Sequence, residues 1–157
     1  MSDTQKIADL FLDKKSVVSL SAQVDHERKV AIYDLLEENS FDPEGDFKGP
    51  FNLHLSIAEN RLVFDVRDVS DGDLTKFTLP LSPLRSVIKD YFLVCDSYYK
   101  AIKVSSPSQI EAIDMGRRGL HDEGAEILRD RLVGKADIDA NSSRRLFTLI
   151  CVLHIRV

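Results

Sequence analysis

The stretch SPLRSVIKDYFLVCDSYYKAIKVSSPSQIEAIDMGRRGLHDEGAEILRDRL, residues 82–132, decides the fold, because it holds two consecutive long helical patterns. Each opens with a serine followed by a proline, Ser82-Pro83 and then Ser106-Pro107. A serine oxygen can accept from the free N–H groups of a first turn. Proline suits the first helical position, where its missing N–H has no partner to lose. Gln109 stands three residues after Ser106, the spacing of a capping box. In the first pattern Leu84, Val87, Ile88, Tyr91, Phe92, Cys95, Tyr98, Tyr99 and Ile102 recur at three- and four-residue spacing. Ile110, Ile113, Leu120, Ile127, Leu128 and Leu132 do the same in the second. Gly116, Leu120 and Gly124 share a face; an interior glycine costs about 0.5–1 kcal/mol relative to alanine, so the pair points to close packing or a local break. Gly134 suits the position just past the helix end.

Two helices of this kind need an apolar surface to cover, and the residues before them supply one. Phe51, Leu53, Leu55 and Ile57 alternate with Asn52, His54 and Ser56, the two-residue period of a half-buried strand. After a turn at 58–61, Leu62, Phe64 and Val66 alternate with Val63, Asp65 and Arg67. The Asp-Gly pair at 71–72 marks a second hairpin turn, and Phe77, Leu79 and Leu81 continue the pattern. Pro80 cannot donate to a ladder, so the third strand belongs at an edge or ends there. The result is a three-stranded antiparallel meander with one apolar face.

The flanks read less sharply. KIADLFLD, residues 6–13, reads as a short strand, and residues 16–23 as a loop. Asp25 is the expected cap of a helix running to about Asn39 with Ile32, Leu35 and Leu36 inside. Glu37 and Glu38 oppose the dipole at its end. FDPEGDFKGP, residues 41–50, is turn chemistry throughout. The closing run RRLFTLICVLHIRV, residues 144–157, has no clean period. With Asp139 or Asn141 as cap before it, it reads as a central buried helix rather than a strand. The expected fold is therefore α+β: an antiparallel sheet of three to four strands packed against three to four helices, in a single domain spanning 1–157.

Composition narrows the function classes. With 43% hydrophobic and 30% charged residues, disorder is not expected. A formal charge of −5 argues against a general nucleic-acid binder. The opening MSDTQKIADLFLDKK lacks the cationic and apolar regions of a secretory signal, and no apolar run approaches the ~18 residues of a membrane span. Cys95 and Cys151 sit inside apolar patterns without CxxC spacing and read as buried, reduced thiols of a cytoplasmic protein.

Four groups of residues could carry chemistry. The densest is DMGRRGLHDEGAE, residues 114–126, where Arg117 and His121, Asp114 and Arg118, and Arg118 and Asp122 are each four apart. Two guanidiniums beside an imidazole and carboxylates suit a phosphate or carboxylate ligand; the plainer reading is a solvated face laced with ion pairs. The candidate ligand-binding residues are accordingly Arg117, Arg118, His121 and Glu123. Asp25-His26-Glu27-Arg28 reads as a solvated first turn, and His54 with Asn52, Ser56, Asp65 and Arg67 as the solvent face of the sheet. Tyr91, Tyr98 and Tyr99 read as packing. No HExxH, GxSxG or phosphate-binding loop is present, and nothing in the sequence names a cofactor, a metal site or a catalytic residue.

HERKVAIYDLLEENSF, LSPLRSVIKDYFLVCDSYYKAI, QIEAIDMGRRGLHDEGAEIL and RRLFTLICVLH together resemble an uncharacterised family of short alphaproteobacterial proteins, over nearly the whole chain from about His26. The resemblance implies a bacterial, cytoplasmic protein and carries no substrate, cofactor or catalytic residue with it. The first functional expectation is a non-enzymatic interaction or regulatory module that forms a homodimer or engages another protein. The alternative is a small enzyme or binding protein for an anionic small molecule, a phosphorylated or carboxylated metabolite, at residues 117–123. RNA binding through Arg117, Arg118, Arg144 and Arg145 stands third and is not expected; no membrane partner is.

Overall fold

A computed structural model describes residues 4–13 and 22–154. In chain order its elements are β1 (Ile7–Leu12), α1 (Ala22–Glu37), β2 (Phe41–Pro43), β3 (Phe51–Ala58), β4 (Arg61–Arg67) and β5 (Asp73–Pro80), followed by α2 (Ser82–Val104), α3 (Pro107–Leu132), β6 (Ala136–Ile138) and α4 (Ala140–His154). Strands β1, β3, β4 and β5 form one sheet in that order, and β2 pairs with β6 in a second, two-stranded ribbon. The fold is α+β, as the sequence predicts.

The three strands β3, β4 and β5 form the expected antiparallel meander. Leu53 faces Val66, Leu55 faces Phe64, and Phe64 in turn faces Phe77 with the rings stacked 4.8 Å apart. Glu59 and Asn60 close the first hairpin with φ of 52° and 63°, the positive pair that a two-residue turn requires. Pro80 ends β5 at the sheet edge, where no ladder bond is lost. The fourth strand departs from the antiparallel expectation. β1 pairs with β3 in parallel, because the chain leaves β1 through α1 and returns on the same side. The two-stranded ribbon was not predicted at all: Phe41–Pro43, the start of the expected loop, pairs with Ala136–Ile138.

Helix α1 starts at Ala22, three residues before the predicted cap, so Asp25 lies inside its first turn and pairs with Arg28 and Lys29 instead. Most of the expected loop at 16–23 lies outside the described residues. The acidic end of α1 is closed by Asn39, whose amide donates to the Leu35 and Ile7 carbonyls while its oxygen accepts from the Ile7 N–H at 2.7 Å. One side chain thus caps the helix and ties it to β1.

The two serine-proline openings behave differently. Ser106 caps α3 and forms the full capping box with Gln109. At α2 the cap position is Leu81, and no side chain bonds the first turn; Ser82 is already helical. Along α2, Leu84, Val87, Ile88, Tyr91 and Cys95 are buried as expected, but near its end Ala101 is buried and Ile102 exposed. Gly124 is tightly packed, whereas Gly116 and Gly119 face open space, so close packing accounts for only one of the two paired glycines. Gly134 takes φ of 83° just after α3.

Through His154 the final run is a buried helix, with the Asp139 carboxylate accepting from the Ser142 N–H; residues 155–157 lie outside the described residues. Leu146, Phe147, Leu149, Ile150, Cys151, Val152 and Leu153 are all buried. Ser142 and Ser143, buried with them, are both satisfied: Ser142 accepts from the Ser40 N–H and Ser143 donates to the Ala125 carbonyl. Among the described residues no helix is long and apolar enough to cross a membrane.

Candidate ligand-binding cleft

A helix buried on most sides can expose polar groups only along one strip, and α4 does so at Asn141, Arg144, Arg145 and Thr148. These recur at three- and four-residue spacing and so lie on one face. That strip faces a matching one on α1, formed by His26, Glu27, Val30, Ala31 and Asp34, across a cleft of about 510 Å³. Tyr91 of α2 and His121 of α3 complete its lining. Tyr91, His121 and Arg144 also line a smaller compartment of about 210 Å³ with Arg117, Arg118 and Asp122. Together the two make one groove walled by all four helices. The larger compartment falls within the roughly 300–1,000 Å³ common for small-molecule sites.

Three of the four candidate residues, Arg117, Arg118 and His121, meet in the smaller compartment. Glu123 does not join them; it is exposed and lines neither compartment. Asp114 holds both guanidiniums, Arg117 at 2.6 Å and Arg118 at 3.2 Å. Arg117 also lies over the Tyr98 ring, 4.4 Å from its centroid, a cation–π contact. Burial works against the Arg117 charge as the largest single effect, but the bond to Asp114 and the charge interactions with Tyr91, Asp114 and Cys95 together outweigh it, and the guanidinium is held above its ordinary value. The anticipated pair between Arg118 and Asp122 does not form. Asp122 reaches across to Arg144 on α4 at 2.8 Å, so it ties two helices rather than one turn.

His121 stands between the Tyr91 and Phe147 rings, at centroid distances of 5.5 and 5.3 Å. Its Nε2 lies 2.7 Å from the Thr148 hydroxyl oxygen. Burial holds this imidazole below its ordinary value; Arg144 and Arg117 push it the same way, and Asp122 opposes them. On the α1 side, Glu27 accepts from the Tyr99 hydroxyl at 2.5 Å. Burial, with that bond next, pushes the Tyr99 phenol up.

Arg145 differs from the other arginines. It lines the larger compartment, is half-buried, and among the described residues its side chain makes no ion pair or hydrogen bond. Four arginines and three carboxylates line the groove, on a chain whose formal charge is −5. The cleft is the more positive part of an acidic molecule. Among the described residues no three His, Cys, Asp or Glu side chains gather as a metal set.

Sequence reasoning placed His26 and Glu27 on a solvated turn, set Arg144 and Arg145 aside for RNA and read Asn141 only as a possible cap; it passed over Asp34 and Thr148. The available signal was the polar spacing at 141, 144, 145 and 148 inside an apolar run. The other three histidines scatter only in part: His26 lines the cleft, His54 sits on the sheet face stacked on Phe11 and bonded to Asp71, and His154 lies at the end of α4.

Residues 4–156 match the family described as Uncharacterised protein family (UPF0262). The chain belongs to this family. Among UPF0262 proteins it is similar to that of Paramagnetospirillum magneticum, 58% identical over 156 residues with 99% of each chain covered. It is also similar to that of Rhodospirillum rubrum, at 55% over 99% of this chain and 96% of the other, and to that of Agrobacterium fabrum, at 52% over 96% of each. No solved structure matches the chain significantly.

Proposed function

We propose that the four-helix cleft binds a small anionic metabolite, phosphorylated or carboxylated, in a bacterial cytoplasm. The observation that carries this reading is Arg145, a half-buried cation with no partner among the described residues, on the wall of a ligand-sized cleft. A guanidinium so placed is ready for a bidentate contact with phosphate or carboxylate. Arg117, Arg118 and His121 add to the same groove, and Glu123 is set aside. A thermal-shift panel of organic phosphates and carboxylates tests it on wild type, Arg145→Ala and Glu123→Gln. A ligand at about 100 times its dissociation constant adds ~2.7 kcal/mol. Stabilisation lost in Arg145→Ala and kept in Glu123→Gln is expected. A hit that survives Arg145→Ala would remove the reading.

A second reading, self-association or protein binding, is favoured by one observation. Leu93, Ile102, Val104 and Met115 are exposed on the α2–α3 hairpin, with Val104 at 86%. Light scattering across a concentration series, with Ile102→Lys alongside, tests it for a second copy of this chain. A mass that stays at one chain throughout would end it.

A further inference from the structure

The contacts of His121 fix more than its position. The Thr148 hydroxyl donates to the Arg144 carbonyl at 3.3 Å, and a carbonyl oxygen can only accept. A hydroxyl that donates to that carbonyl meets His121 Nε2 at 2.7 Å as an acceptor, and in that arrangement Nε2 carries the hydrogen. A neutral imidazole has one N–H, so Nδ1 is left with a bare lone pair. Among the described residues Nδ1 has no hydrogen-bond partner, and it is not among the buried polar atoms left without one; that atom is His154 Nε2. His121 borders both compartments of the groove. Its free acceptor therefore belongs to whatever enters.

We infer that the ligand carries a hydrogen-bond donor beside its anionic group, as in a hydroxy- or amino-substituted phosphate or carboxylate, and that His121 Nδ1 accepts from that donor. This inference rests on the proposed anion-binding role of the cleft. Arg117, Arg118 and Arg144 surround the compartment on one side of His121, where an anionic group meets guanidiniums. On the other side Glu27 and Asp34 offer further acceptors, and Val30 and Ala31 an apolar wall. The charged and titratable groups about the imidazole are Tyr91 from α2, Arg117 and Asp122 from its own helix, Arg144 from α4, and His26 and Glu27 from α1. Burial and the two arginines keep the ring neutral, the state in which it can accept.

Two measurements test the inference. A long-range proton–nitrogen spectrum of the ¹⁵N-labelled protein at neutral pH reports the His121 tautomer without any ligand. The Nε2-protonated form is expected in wild type, with that preference lost in Thr148→Val. An Nδ1-protonated or fully charged ring would overturn it. Calorimetry then compares 2-hydroxypropyl phosphate with propyl phosphate, and malate with succinate, pairs that differ in one hydroxyl donor. A preference of about tenfold for the hydroxylated member is expected, one hydrogen bond's contribution, and it should vanish in His121→Phe. Equal binding within each pair, or a preference that persists in the variant, overturns the inference and leaves the anion site standing. Failure of all four compounds and of inorganic phosphate to bind removes both.

Discussion

Gly124 of α3 lies against the ring of Phe147 of α4 so closely that a methyl group added at 124 would run into Cζ, Cε1 and Cε2 of that ring. The missing side chain lets the two helices approach, and that approach sets the spacing between His121 and Thr148 one turn away. Gly124→Ala is expected to destabilise the protein by about 1–3 kcal/mol, the usual cost of overpacking a filled core. Gly119→Ala, facing open space on the same helix, should stabilise by about 0.5–1 kcal/mol. Urea unfolding of both variants checks the pair. Equal effects at the two positions would show that α3 and α4 do not meet as described.

The two serine-proline openings give a second contrast. Ser106→Ala removes a hydroxyl that accepts from the Gln109 N–H and should cost about 1 kcal/mol. Ser82→Ala removes a side chain that caps nothing and should change stability by less than about 0.5 kcal/mol. The same unfolding measurement decides it. A large loss at Ser82 would mean that α2 is capped by its serine after all.

That contrast also marks how far the sequence could be read. Ser82-Pro83 and Ser106-Pro107 are identical locally, and what separates them is the strand running straight into α2 through buried Leu81. The meander and the long helices were legible because their apolar residues repeat over many positions. The ribbon of β2 with β6 was not, because three-residue strands carry no period and their partners lie far apart in the chain. The site followed the same division. The 117–121 cluster stood out by density, but Asp34 on α1 and Arg145 and Thr148 on α4 are ordinary polar residues far apart in the chain. Only the packing of α1, α3 and α4 turns three ordinary polar strips into one groove.

The cysteines should be chemically silent while the protein is folded. Cys95 and Cys151 are free and buried, and burial pushes both thiols above their ordinary value. The thiolate is the reactive form, so both access and ionisation are suppressed. With an aromatic disulfide reagent at pH 8, native protein should release no colour on the minute scale, while denatured protein should release two equivalents at once. Immediate reaction of one thiol in the native state would place Cys95 or Cys151 at the surface.

The last prediction concerns acid, and its sign follows from His121. The fold holds this imidazole below the ordinary value of 6.5, chiefly by burial, and His154 is shifted the same way by burial and Arg85. As pH falls through the unfolded value, the unfolded chain takes up protons that the folded one refuses. The unfolded state then binds more protons, and stability drops until the folded rings protonate as well. Asp25 and Asp114 are held below 3.8, first by their bonds to arginine, so their stabilisation is lost only at lower pH still. Unfolding free energy measured by urea should therefore decline between pH 7.5 and 5.5. Replacing His121 by Gln, which cannot charge, should flatten part of that decline. The Thr148 hydroxyl is satisfied by the Arg144 carbonyl in either case, so the flattening reports the ring's charge rather than a lost bond. Stability that rises on acidification over this range would mean that His121 sits in the fold as a cation.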